Sequence, residues 1–403
     1  MSTPCPNPSD DLLRNPPDFS LVHGGPLFQI FLRAHLSNDA LELARQRTIV
    51  IALLAWLPLL LLSALEGQLL SGDVAMPFLM DVEVHIRFLV AIPLMIGAEL
   101  IVHRRMRLLV RQFMERNLIP EAALPRFNAA IQSAFRLRNS TLAEVLLLAF
   151  VYGVGVLVIW RYFMAIDAPT WYATPTEDGF NLSLAGMWFV FFSLPLFQFL
   201  LLRWYFRLFI WARFLWQVSR IQLNLIPTHP DRTGGLGFLA GTVYAFIPLL
   251  MAHGALVAGN LANHIFYLGS KLLEYQGIVA LMVAFLLIVV LGPLFVFTPQ
   301  LAEVKRTGKR EYGTLAQRYV REFDHKWLRG GAPADEPLLG SADIQSLADL
   351  NNGYEVVRTM NTSPVSKEAI LRLATAVIVP IIPLALTMMP LEELLKKLLA
   401  ILL

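Results

Sequence analysis

The chain has 403 residues, 56% apolar and only 16% charged, with a formal net charge of +3. With a mean hydropathy of +0.57, that composition excludes an ordinary soluble domain and points to several membrane-crossing runs. A lone cysteine, Cys5, excludes an intramolecular disulfide and cannot hold a metal by itself.

In chain order, the first 26 residues are polar and proline-rich, with no apolar run behind a basic start, so no cleaved signal peptide is read there. Residues 27–36 (LFQIFLRAHL) suit the membrane interface. Asp39 followed by Glu42 resembles a capping box opening the next helix. Apolar runs then predict seven spans, at about 48–65, 88–102, 142–164, 182–202, 236–266, 277–297 and 369–389. Runs of this length satisfy their backbone in lipid only as helices, so the predicted fold is an all-α polytopic membrane helix bundle. The segments are a leader (1–47), spans 1 to 6 (48–298), a helical segment (299–368) and span 7 with an amphipathic tail (369–403).

Charge sets the predicted orientation. Of the 33 lysines and arginines, 28 fall on one side: the leader, the loops after spans 2, 4 and 6, and Arg372 at the mouth of span 7. The positive-inside rule then places the N-terminus and these loops in the cytoplasm and the C-terminus outside. Near that face, Glu99 and Glu144 sit at the ends of spans 2 and 3. Glu99 has His103 one turn on, and ion pairing that fixes helix packing is the favoured role. Span 4 continues as a helix to about Arg220, with Arg203, Arg207, Arg213 and Arg220 among Trp204, Trp211 and Trp216. This pattern reads as a belt of snorkelling arginines contacting lipid head groups and anchoring tryptophans; so apolar a segment argues against nucleic acid.

Between spans 4 and 5 lies Thr228-His229-Pro230-Asp231-Arg232-Thr233-Gly234-Gly235-Leu236-Gly237, with three glycines in ten residues. It reads either as a tight elbow or as a hinge or gating loop carried by His229, Asp231, Arg232, Gly234, Gly235 and Gly237. Gly237 and Gly241 are spaced for close approach of another helix. A Rossmann or Walker loop is excluded, because no strand precedes the glycines and no Lys-Ser/Thr follows them. Along span 5, His253, Asn260 and His264 recur at seven and four residues, within about 40° on a helix, with Asn263 beside them. They are candidates for a polar path or ligand site, or for hydrogen bonds between helices. Two histidines with no nearby carboxylate give no metal site, and no cofactor or catalytic motif is legible.

After span 6, Leu301, Val304, Gly308, Tyr312, Leu315, Tyr319, Phe323 and Trp327 form one apolar seam that must pack on the span 4 extension or on a second subunit. Lys305, Arg306, Lys309 and Arg310 beside it suit anionic head groups. Residues 330–337 (GGAPADEP) read as a turn. A short helix is capped by Ser341 and ended by Asn351-Asn352-Gly353, and Ser363-Pro364 opens the approach to span 7. The tail at 391–403 (LEELLKKLLAILL) is amphipathic, with Glu392–Lys396 and Glu393–Lys397 pairs.

Three stretches, HPDRTGGLGFL at 229–239, SADIQSLADL at 341–350 and PLEELLKKLL at 390–399, resemble a family of uncharacterised bacterial multi-pass inner-membrane proteins. That resemblance implies the bacterial inner membrane and carries no activity to transfer. The architecture alone is similar to the insect odorant and gustatory receptor channels, which are tetramers whose last helix lines the pore; none of their sequence signatures occurs here. Taken together, these readings predict an oligomeric, channel- or transporter-like protein with a polar path along span 5. The alternatives are a membrane scaffold or sensor that binds a partner through cytoplasmic helices, or an intramembrane enzyme using His229 and Asp231.

Overall fold

Apolar length dictates the helices, and several of their departures from α geometry sit beside prolines. The computed structural model describes residues 17–22, 24–26, 44–70, 74–155, 169–176 and 179–387. Its long helices are α1 (Ala44–Leu65) and α2 (Val82–Glu115), then the pair α3 (Leu124–Arg138) and α4 (Thr141–Phe150). They are followed by α5 (Leu184–Val218), α6 (Phe238–Leu268), α7 (Leu272–Leu328), α8 (Ala342–Thr359) and α9 (Lys367–Thr387). Six helices are long and apolar enough to cross a membrane, and seven if the pair around α3 and α4, bent by 48°, counts as one span. The chain therefore has the make-up of a multi-pass membrane protein.

Two π turns, Arg87–Ala91 in α2 and Phe189–Ser193 in α5, end two positions before Pro93 and Pro195. Proline has no N–H to close the α ladder, and one wider turn re-satisfies the freed carbonyls. Pro293 and the Pro380/Pro383 pair likewise sit in the 3-10 stretches of α7 and α9.

At the centre stands α6, packed on α2 and α9. Glycine permits the contact with α9: a Cβ on Gly254 would overlap the carbonyl oxygen of Val377. Gly259 faces α2 less tightly, where a Cβ would come 3.1 Å from the Glu83 Cα. Gly241 has open space instead, so the close-approach face predicted for the Gly237/Gly241 pair lies further along the helix. Around this centre, α1 packs on α2 and the start of α5, and α3 on α5. At one end of the bundle a small hairpin, β1 (Ala173–Thr176) and β2 (Gly179–Leu182), pairs Ala173 with Leu182 and Thr176 with Gly179. The preceding Trp171 is fully buried against Phe78 and Phe189. The opposite end is rich in lysine and arginine.

Several sequence expectations need correction. The second span is not short, because its helix runs 34 residues. Span 6 and the seam are one continuous helix of 57 residues. The seam packs on α8 of the same chain, with Tyr319 Oη donating to the Asp343 carbonyl at 2.9 Å and Trp327 Nε1 to its carboxylate at 2.9 Å. Asn351-Asn352-Gly353 does not end α8, which continues to Thr359 and buries Val357. Ser341 occupies the N-cap of α8 without a side-chain bond, and the cap of α9 is Ser366, which accepts from Ala369 N at 3.0 Å. The interfacial helix at 27–36, the Asp39 capping box, residues 156–164 of span 3 and the amphipathic tail lie outside the described residues.

Gly254→Ala should force α6 from α9, an overpacking cost of about 1–3 kcal/mol, while Gly241→Ala should be neutral or slightly stabilising. Thermal unfolding of the purified protein reads the difference; equal melting of Gly254→Ala and wild type would refute the close approach.

Candidate functional site

Three polar centres lie along this bundle. The first surrounds Glu99 of α2, whose side chain is 7% exposed. Arg47 of α1 binds its Oε2, and Arg207 of α5 reaches Oε1 at 2.7 Å. Arg203, one turn before Arg207, lies 4.0 Å from Oε1 and 3.3 Å from Glu144 of α4. The Arg207 guanidinium also covers the Trp204 ring at 4.7 Å, and Trp204 Nε1 donates to the Met95 carbonyl at 3.1 Å. A lone charge among apolar helices is prohibitively costly, whereas charges that pair and hydrogen-bond lock the helices that carry them. Arg203 and Arg207, which the sequence pattern directs to lipid head groups, are instead buried and paired inside the bundle. His103 does not join Glu99, and its Nδ1 lies 2.9 Å from Ser20 Oγ.

The second centre is at the β-hairpin end. Asp81 caps α2 by accepting from Val84 N at 3.1 Å, and it also accepts from Trp171 Nε1 at 3.0 Å and Asn263 Nδ2 at 2.8 Å. Asn263 Oδ1 accepts from Val82 N, and Asn260 Nδ2 donates to Glu83, which is paired with Arg87. Asn260 and Asn263 thus fasten the start of α2 to α6. Of the same stripe, His253 lies between Tyr205 Oη (2.8 Å) and the Leu249 carbonyl (2.7 Å), and His264 faces the Tyr275 ring. These contacts fit the helix-bonding reading of the stripe.

The third centre is the loop before α6. Arg232, Gly234 and Gly235 have φ of 54°, 64° and 102°, the left-handed region that glycine tolerates best. Asp231 organises the turn by accepting from the backbone N–H of Thr233 (2.8 Å), Gly235 (3.1 Å) and Gly237 (2.8 Å). His229 Nδ1 stands 2.9 Å from the same carboxylate. Partial burial raises the Asp231 pKa, but the three N–H groups and His229 outweigh it and hold the carboxyl below its usual range. Gly237 is required because a Cβ there would come 2.9 Å from the Asp231 Cβ. Other segments pin the loop: Asn361 N donates to the Arg232 carbonyl at 2.7 Å, and Arg116 to the Gly235 carbonyl at 3.2 Å. A cavity of about 330 Å³ beside it is lined by Arg116, Asp231, Asn361, Ser363 and Ser366.

Of the remaining candidates, Lys305 donates to the Met360 carbonyl at 2.5 Å, Arg306 pairs with Glu303 on the surface, and Lys309 and Arg310 are exposed. Among the described residues, no cluster of three or more His, Cys, Asp or Glu is placed to hold a metal ion. Sequence reasoning missed Arg47, Asp81 and Trp171. Their only local signal is a charged or amphipathic residue at the edge of an apolar run. The whole is a helix bundle with six or seven helices long and apolar enough to cross a membrane, the make-up of a multi-pass membrane protein, and its buried polar residues tie helix to helix. No family model, curated protein or solved structure matches the chain.

Glu99→Gln leaves three arginines facing one carboxylate and should cost about 3–5 kcal/mol, against about 1 kcal/mol for Asn260→Leu. Thermal unfolding in detergent ranks the two, and the reverse order would show that the Glu99 cluster does not hold the bundle.

The Asp231 contribution is present above the ordinary carboxylate range near pH 4 and is lost as pH falls through the depressed folded-state value. Amide-exchange protection at Thr233, Gly235 and Gly237 should therefore persist at pH 5 and collapse only in stronger acid. In Asp231→Asn it should be lower and nearly independent of pH; unchanged protection would show that the carboxylate does not hold the loop.

Proposed function

We propose that the protein is a membrane scaffold or sensor that displays a helical docking arm at the cytoplasmic face. The observation that carries this reading is the hairpin formed by the charged half of α7 and by α8. Two helices alone cannot cover both faces of their shared seam, and one face keeps a groove of about 440 Å³ lined by Ala316, Val320, Ile344, Leu347, Ala348 and Tyr354. Val320 and Ile344 are about half exposed, at 49% and 48%. Lys309, seven residues before Ala316 and eleven before Val320, stands on the groove face of α7, with Arg306 and Arg310 to one side of it. An apolar floor beside a basic rim suits one occupant, an amphipathic helix of a partner protein with an acidic edge.

The positive-inside asymmetry supports a cytoplasmic hairpin, and the resemblance of 229–239 and 341–350 supports a bacterial inner membrane. The path along α6 predicted for a channel or transporter gains no support, because Asn260, Asn263 and His253 are engaged in bonds to neighbouring segments.

Two synthetic 18-residue amphipathic helices, with the same leucine face but glutamate or lysine edges, provide the test. The protein in zwitterionic nanodiscs should bind the acidic helix saturably and at least about tenfold more tightly than the basic one. Val320→Asp and Lys309→Glu should each remove that preference. In a Cys5→Ser, Ser346→Cys variant, an impermeant thiol reagent should react only after the membrane is opened. Equal binding of both helices would overturn the docking reading, and labelling of intact cells would overturn the orientation.

A further inference from the structure

Arg87 lies in the π turn of α2, within the first two turns beyond Asp81, and is 5% exposed. Its guanidinium binds Glu83 and lies over the rings of Phe197 (5.7 Å) and Phe189 (5.9 Å). One atom is left over: Nε is buried and has no hydrogen-bond partner among the described residues. The same is true of Oε1 of Gln198, on α5. Both side chains line one cavity of about 250 Å³, whose other described lining residues are apolar and include Phe150, Val151, Leu194 and Leu201. Gly155 leaves room for the Gln198 amide, which a Cβ at that position would overlap.

Buried polar atoms in an apolar wall are costly unless something completes them, and hydrocarbon offers no partner. The chemistry of the missing partner follows from the two atoms. Arg87 Nε–H only donates, so the partner must accept there. The Gln198 amide can be completed by a group that donates to Oε1. A single hydroxyl does both. Charge narrows the choice further, because Glu83 already neutralises Arg87, and a carboxylate or phosphate would bring an unbalanced negative charge into an apolar space. The cavity also exceeds the roughly 30 Å³ share of one water molecule, and its aromatic and aliphatic wall suits an alkyl chain.

We infer that the cavity between α2, α4 and α5 is a binding site for a neutral lipid alcohol, whose hydroxyl bridges Arg87 Nε and Gln198 while its chain lies against Phe150, Val151 and Leu201. The site is separate from the α7–α8 groove, and its test does not depend on the docking role.

The probe is hexadecanol carrying a diazirine in mid-chain, photolysed with the reconstituted protein, and the labelled peptides are mapped by mass spectrometry. Saturable labelling is expected on the segments around Phe150–Val151 and Leu194–Leu202. Unlabelled hexadecanol should compete at least about tenfold better than hexadecane, which lacks the hydroxyl, and better than palmitate, which carries a charge. Gln198→Leu should lower labelling about tenfold by removing one hydroxyl partner while keeping the apolar volume. Leu201→Trp, which fills the cavity without touching either polar atom, should abolish labelling and carries the test if the first variant does not fold. Equal competition by hexadecane would reduce the site to a non-specific apolar cleft, and best competition by palmitate would make it an anion site. Unsaturable labelling, or labelling unchanged in both variants, would mean that water alone completes the two atoms. Each of these results overturns the proposal.

Discussion

The bundle depends on keeping ionised groups among apolar helices without leaving any of them alone. Glu99 meets that constraint by drawing Arg47, Arg203 and Arg207 onto one carboxylate, with Glu144 taking the second side of Arg203. Four helices converge there, so their spacing and rotation are set together. A misplaced helix would strand a charge in a medium that cannot solvate it, which makes the cluster a strict criterion of correct packing. At the other end, Asp81 imposes the same discipline by gathering donors from Val84, Trp171 and Asn263.

Between these two polar locks, α6 relies on small residues. Gly254 and Gly259 bring its backbone against α9 and α2, while the Asp231 loop fixes how the chain enters it. The interior polar groups are therefore largely committed to assembly. Among the openings left are the groove of the α7–α8 hairpin, the cavity beside Arg87 and the one beside the Asp231 loop.

Much of this was legible from sequence where the signal is local. Apolar length found the long helices, glycine content marked the turn before α6, and spacing placed His253, Asn260, Asn263 and His264 on one stripe. Partners distant in sequence were not legible. The Arg203 and Arg207 pattern among tryptophans looks the same for a head-group belt as for a buried cluster, and the residue that decides it, Glu99, is about a hundred positions away. Asp81 meets Trp171 and Asn263 across 90 and 182 residues. Local chemistry also lost to packing at Asn351-Asn352-Gly353, where contact with α7 carries α8 past a sequence that would end an isolated helix. The β-hairpin is too short to announce itself by alternation.

The unbroken course of α7 has a mechanical consequence. At 1.5 Å per residue its 57 residues span roughly 85 Å, so the helix is a lever whose apolar arm is held by the bundle and whose charged arm carries the groove. A tilt of about 10° over a charged arm of roughly 45 Å displaces its tip by about 8 Å. The 3-10 stretch Gly292–Phe297, with its proline, sits where the two arms join and is the natural fulcrum. Small rearrangements among the apolar helices would thus be magnified at the far end, and a load on the hairpin would be felt as torque within the bundle.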